Sequence, residues 1–324
     1  MQAVEPSTHR PVDLRPGRPA HRARKAGRER RGLAPYLLSL PTIIVLAGLL
    51  AYPIVKMTVL SFQKLTQRNL FLDEPATWVG LANYSEILKD GFFWTVVLRT
   101  LVIAAICVVV SVVLGMAVAL LMRTVSPWVR IVMIVAMMLV WSMPQLVSTQ
   151  IFSWLVDTDF GVVNYVIDKI PGVDFSNHSW FIDSMQGWSV IVTLVIWGAI
   201  PFLAISLYAG LSQVPRELIE AAIVDGAGSW AVFRNVLFPV VRPLVVIVTT
   251  LSVIWDMGLF TQPFIMRSTK PELDYYTLQV YAYEEAFAKS HYGPGSAISI
   301  LAVILLLAVM AFYVRQMFTI GEAD

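Results

Sequence analysis

The chain is short of charge and nearly without cysteine. Only 14% of its 324 residues are Asp, Glu, Lys or Arg, against 57% hydrophobic. A water-soluble domain carries about 25% charged and 45–50% apolar residues. The shortage excludes an ordinary soluble fold, because the surplus apolar surface must face something other than water. A net charge of +2 gives no basis for a nucleic-acid partner. The single cysteine, Cys107, lies in the apolar run VIAAICVVVSVV, so no internal disulfide forms and a buried structural thiol is expected. The four histidines (His9, His21, His178, His291) have no ligand spacing, and no metal site is expected. The phosphate-loop pattern G-x-x-x-x-G-K-[ST] is missing, so the chain is expected to bind no nucleotide cofactor itself.

What is present is a set of six apolar stretches, approximately residues 33–62, 93–122, 129–155, 189–211, 244–266 and 297–318. Each is long enough to cross a bilayer core as a helix, which takes about 20 residues. Backbone polar groups in lipid need internal partners, so the spans are expected to be α-helices. Blocks such as VIAAICVVVSVVLGMAVALLM do not alternate as barrel strands do. The fold class is therefore all-α: a polytopic membrane protein with six transmembrane helices. Pro41, Pro53, Pro144, Pro201 and Pro263 fall inside or near the ends of these stretches. They are expected to kink or interrupt helices, a device transporters use at mid-membrane sites.

Basic residues set the orientation. Arg10, Arg15, Arg18, Arg22, Arg24, Lys25, Arg28, Arg30 and Arg31 precede the first span. If that end is cytoplasmic, Arg123, Arg130, Arg216, Arg234, Arg242 and Arg315 lie on the same side. Both termini are then cytoplasmic, in keeping with an even number of spans. Residues 1–32, rich in Arg, Pro and Ala, read as a disordered basic tail, and 33–320 as the membrane domain. The first apolar stretch is too long for a signal-peptide core, so it is expected to be retained.

Between the fourth and fifth spans, within residues 212–243, lies the polar segment PRELIEAAIVDGAGSWAVFRNVLFP (215–239). Pro215 suits the first turn of a helix, and Glu217 suits its dipole. Leu218 with Ala222, and Ile219 with Ile223, are spaced to make an apolar face. Asp225-Gly226 is a turn pair, after which Ser229 is expected to cap a second helix from 230 to 237, anchored by Trp230 and Phe233. Pro239 and Pro243 are expected to end it before the fifth span. Such a helix–turn–helix suits docking in a partner's groove, and equally an amphipathic connector lying on the bilayer.

The sequence Glu220-Ala221-Ala222, with Gly226 four places on and Pro239 thirteen beyond that, resembles the EAA loop of ABC importer permeases. Similarity extends to YLLSLPTIIVLAGLLAYPIVKMTVLSF (36–62), WVGLANYSEIL, the Trp154-Leu155 pair followed by DFGVVN, and TLQVYAYEEAF, motifs of carbohydrate-importer permeases. The tail and motifs are most similar to those of actinobacterial trehalose-importer permeases. The resemblance implies a type I permease fold and a plasma-membrane location. It also implies transport of a sugar, a disaccharide such as trehalose. It further implies a second homologous permease, an extracytoplasmic solute-binding lipoprotein, and two ATPase subunits that use ATP and Mg and dock on the loop. In this chain the docking residues implied are Glu217, Glu220, Ala221, Ala222, Asp225, Gly226, Trp230, Phe233 and Pro239. Two departures stand out. MRSTKPELDYY (266–276) replaces a common Gly-Gly-Pro, and Val236 and Phe238 replace Ile and Leu.

Ionisable groups within spans are functional candidates. Asp256 is the clearest, with Trp255 beside it and Gln262 beyond. Carboxylates and amides suit sugar hydroxyls, and aromatic faces suit the C–H side of a sugar ring. Trp141, Gln145, Gln150 and Trp197 are of the same types at plausible depth, although packing or an interfacial belt is the better account of each tryptophan. Three other readings stay open: a polytopic membrane enzyme resembling a glycosyltransferase, an ion-driven transporter or channel, and a permease for a solute other than a sugar. The first needs a cluster of catalytic acids, but Asp157, Asp159, Asp168, Asp174 and Asp183 are dispersed.

Overall fold

The computed structural model describes residues 34–321, so the basic tail falls outside the described residues. The chain divides after Tyr52 into two compact units. The described part of the first holds a helix, Ala34–Leu46, which accommodates Pro41, and a wide π-turn, Ala47–Ala51. Apart from the first span, which starts in this unit, everything discussed below belongs to the second unit, from Pro53 onward.

Among the described residues, five helices are long and apolar enough to cross a membrane: Leu38–Ser61, Gly91–Thr124, Ser184–Leu211, Ser229–Met266 and Tyr292–Arg315. Counted as one span, the broken pair Pro127–Trp141 and Gln145–Leu155, bent by 97°, makes a sixth. The break falls at Pro144, which takes the cap position of the second half with extended backbone. A proline biases the preceding residue away from helix and donates no N–H itself, so the interruption expected here is present. Pro201 behaves otherwise, and helix Ser184–Leu211 runs through it.

The second span (Gly91–Thr124) and the fourth (Ser184–Leu211) form the most extensive helix pair. They meet at Gly115, where an added Cβ would sit 2.7 Å from Leu203 Cβ and 3.4 Å from the Ala204 nitrogen. Ala119, Leu203, Ala204, Leu207 and Leu211 around this crossing are completely buried. Small residues let membrane helices approach this closely. Gly115→Val is expected to force the pair apart, costing about 1–3 kcal/mol. The check is a lowered thermal midpoint of the purified protein, and an unchanged midpoint would mean the crossing has slack. By contrast, Pro127–Trp141 has no buried residue, which suits a helix facing lipid or another chain.

Three segments quoted above for their motifs turn out to pin loops. Asn83 donates from Nδ2 to the carbonyls of Ser61 (2.8 Å) and Gln63 (3.0 Å). These hold the short antiparallel pair Gln63–Lys64 with Thr77–Trp78. Asn164 donates to His178 O (2.7 Å) and accepts from Trp180 Nε1 (2.7 Å), closing the loop before the fourth span. Thr277 donates to Leu259 O (2.7 Å), while Thr100 Oγ1 accepts from Leu278 N (3.0 Å). Arg99 adds bonds to the Leu273 and Tyr276 carbonyls, and Trp188 Nε1 to that of Asp274. The strap 273–278 is thereby tied to the second and fourth spans. Burial pushes the Tyr276 and Tyr281 phenols up to about 12. The Glu272 carboxyl is held low, chiefly by its hydrogen bond from Arg267.

The segment lacking Gly-Gly-Pro has a local explanation. After helix Thr261–Met266, Thr269 N bonds to Phe264 O and Ser268 N to Ile265 O, the paired bonds of a Schellman cap. Ser268 (φ 53°) and Thr269 (φ 61°) are both left-handed, which disfavours β-branched residues most. Ser268→Gly with Thr269→Gly is expected to relieve this and raise stability by roughly 1 kcal/mol. A thermal midpoint that falls in the double variant would contradict the account of strain.

Candidate functional site

The Pro215–Pro239 segment folds from local rules. Helix Arg216–Val224 starts after Pro215, which occupies the cap rather than the first turn. Its end explains the Ala222-to-Gly226 spacing. Ala227 N bonds to Ala222 O (2.9 Å) and Gly226 N to Ile223 O (3.0 Å), again a Schellman cap. Gly226 takes the left-handed position, φ +84°. The four-residue interval is thus the separation between the third residue from the helix end and the glycine that terminates it.

Ile219 and Ala222 pack against a buried cluster that includes Leu211, Val214, Val232 and Leu237. The inward pair is therefore three residues apart, a correction to the faces expected from Leu218 with Ala222 and Ile219 with Ile223. Leu218, Ile223 and Val224 point out instead, Val224 with 86% of its surface exposed. Glu217, Glu220, Ala221, Asp225 and Gly226 are exposed as well. Trp230, 71% exposed, lies against Phe233 at 5.3 Å between ring centres. The segment thus presents apolar side chains that the described part of the chain does not cover.

Two expectations here are corrected. Gly228, not Ser229, holds the cap position of the second helix. Nor do Pro239 and Pro243 end that helix: helical structure continues from Ser229 to Met257. Pro239 is tolerated because it sits in the first turn of Phe238–Met257 and is preceded by a wide turn, Phe233–Leu237. Such a turn absorbs the hydrogen bond a proline cannot make.

A cavity of about 560 Å³ lies where two broken spans meet. The third span is interrupted between Trp141 and Gln145, and the fifth between Met257 and Thr261. Helix Gln145–Leu155 packs on Thr261–Met266, which brings the two breaks together. Six of the seven residues named from the sequence line the cavity: Trp141, Gln145, Trp197, Trp255, Asp256 and Gln262. Gln150 does not; it is exposed on the far side of its helix.

The residues differ in what they hold. Ser148 and Thr149 hydroxyls both donate to the Gln145 carbonyl, at 2.9 and 2.7 Å, and fix the first turn after the break. Trp141, Phe202 and Trp255 form a cluster, with ring centres 5.1 to 5.7 Å apart, that ties the third, fourth and fifth spans together at the cavity wall. Phe152 lies 5.3 Å from Trp197. Asp256 and Gln262 are each only 7% exposed, and Asp256 Oδ2 has no hydrogen-bond partner. One turn earlier on the same helix, Ser252 Oγ is also buried without a partner. Unpaired polar groups at such depth are costly; Asp256 borders the cavity, whereas Ser252 lies outside its lining.

Sequence reading passed over Ser148, Thr261 and Phe202. The two hydroxyls were visible as polar residues inside apolar stretches near Gln145 and Asp256. Phe202 carried no such signal, because its place depends on how three helices cross. Among the described residues, no group of His, Cys, Asp and Glu is arranged to hold a metal.

Known proteins give this geometry a context. Residues 111–318, which include both the 215–239 segment and the cavity, match the family described as binding-protein-dependent transport system inner membrane component. The chain is 38% identical over 91% of its length, and 89% of the relative's, to the diacetylchitobiose uptake system permease protein DasB of Streptomyces coelicolor. It is 28% identical over 87% of its length, and 88% of the relative's, to the trehalose transport system permease protein SugA of Mycobacterium tuberculosis. Among solved structures, it is similar in fold to a chain of a bacterial ABC transporter for the acidic polysaccharide alginate. That match has a TM-score of 0.74 and 18% identity, covering 89% of this chain and 96% of that one.

Proposed function

Because the chain belongs to the family of binding-protein-dependent transport system inner membrane components, we propose that it is the permease subunit of an ATP-driven importer for a small sugar. It is a multi-pass membrane protein and a transport subunit, not an enzyme. The observation that carries the sugar reading is the cavity at the two helix breaks. Its volume falls in the range of small-molecule sites, about 300–1,000 Å³, and it combines tryptophan faces, amides and one unpartnered carboxylate. Discontinuous helices meeting mid-membrane are where transporters hold their substrates.

In this reading both termini and the 215–239 segment are cytoplasmic, as the distribution of Arg and Lys supports. The exposed face of Arg216–Val224, with Trp230, docks on one of two ATPase subunits, which bind ATP and Mg. A second, homologous permease completes the pathway, and an extracytoplasmic binding lipoprotein delivers the sugar. ATP-driven closure of the ATPases moves the docked segment. Because the second half of that segment, from Ser229 and including Trp230, is helically continuous with the fifth span as far as Met257, the motion is passed to the break that carries Asp256. A disaccharide is the favoured cargo, trehalose or diacetylchitobiose being the sugars for which two relatives are named. The test is ATP hydrolysis by the reconstituted complex with its binding protein loaded with each disaccharide in turn. Stimulation by at least one supports the reading, and no stimulation by any sugar, against stimulation by another solute class, would overturn it.

A further inference from the structure

We infer that the cavity selects sugars by charge, admitting neutral and amine-bearing glycans and rejecting those that carry a carboxylate, sulfonate or phosphate. The inference rests on the cavity being the sugar site. Among the described lining residues Asp256 is the sole ionisable side chain; there is no Lys, Arg or His. The nearby basic groups outside the lining are engaged elsewhere. Arg99 bonds to the Leu273 and Tyr276 carbonyls, and Arg267 to Glu272 while lying over the Phe181 and Tyr275 rings.

Asp256 therefore borders the cavity with no counter-cation in the lining, in a site of low dielectric. An ammonium on the sugar supplies the missing positive charge. An anionic substituent shares the cavity with this carboxyl and finds no cation to pair with, so one of the two must take up a proton or bear the repulsion, and burial makes either costly. The remaining polar side chains of the lining, Gln145, Ser148, Thr261 and Gln262, offer amides and hydroxyls that pair with sugar hydroxyls and carry no charge to neutralise an anion.

The inference is tested by intrinsic tryptophan fluorescence of the permease–ATPase complex in nanodiscs, without the binding protein, whose own selectivity would otherwise intervene. Trp141, Trp197 and Trp255 in the lining report occupancy. The ligands are diacetylchitobiose, its deacetylated diamine and a glucuronate-containing disaccharide. The uronate is expected to bind at least tenfold more weakly than the neutral sugar, and the diamine at least as well as it. Asp256→Asn should shrink these differences to within about threefold. Gln145→Arg, at an exposed rim position where folding is not at risk, should admit the uronate. Equal binding of all three sugars to the native complex, or a charge preference unchanged in both variants, overturns the inference while leaving the cavity as the sugar site. A fluorescence response to none of them removes the cavity reading, and the inference with it.

Discussion

Gly226→Pro is expected to abolish transport while the chain still inserts in the membrane and assembles its spans. Gly226 holds φ +84° and donates its N–H to Ile223 O. Proline fixes φ near −65° and has no N–H, so both features of the cap are lost, a disruption of about 3 kcal/mol. Sterics contribute nothing, since a Cβ here would meet no atom within 4 Å. Gly226→Ala should therefore be milder, costing about 1–2 kcal/mol through the left-handed backbone alone. Gly226 is itself exposed and a Cβ there touches nothing, so the buried crossing at Gly115 and Leu203 keeps its contacts and folding should survive. The measurement is sugar uptake into proteoliposomes alongside the amount of inserted chain. Loss graded from Ala to Pro, with insertion unchanged, is the expected pattern. Normal uptake in Gly226→Pro would remove the segment from energy transfer.

Asp256→Ala is expected to separate stability from function. Its Oδ2 is buried without a partner, and leaving such a group unsatisfied costs about 1–3 kcal/mol. The side chain borders an existing cavity, so truncation adds little new void. The variant should melt at a higher temperature than the native complex while sugar uptake falls at least tenfold. Gains in stability on removing a functional polar group are common where activity has kept an unfavourable residue in place. A carboxylate serving only to join helices would show the reverse, with a lowered melting temperature and uptake lost in proportion to folded protein. Unchanged uptake would exclude Asp256 from the pathway.

Much of the fold was legible because each span obeys a one-dimensional rule: enough apolar residues in a row to cross lipid. The break at Pro144 was legible for the same reason, since a proline acts on its own backbone. The break at Gly258–Phe260 was legible only in part: Pro263 marks it from the first turn of Thr261–Met266, but Thr277, eighteen residues away, also holds it by donating its hydroxyl to the Leu259 carbonyl. The start of the fifth helix was misplaced because Pro239 and Pro243 resemble stops, whereas a wide turn just before them lets the helix run on. At the cavity, residue type alone nominated Trp141, Gln145, Trp197, Trp255, Asp256 and Gln262. What no sequence pattern contained was the 97° bend that carries Gln145 to the cavity and leaves Gln150 outside it.

The central claim is that energy enters through the exposed face of Arg216–Val224. A photo-cross-linking amino acid in place of Glu220, in the assembled complex within native membranes, tests it most directly. Glu220 is exposed beside Ala221, so the label leaves the inward contacts of Ile219 and Ala222 in place. The account expects a single major adduct with the ATPase subunit, lost in Gly226→Pro. Adducts with lipid alone, in a complex that still transports, would contradict it.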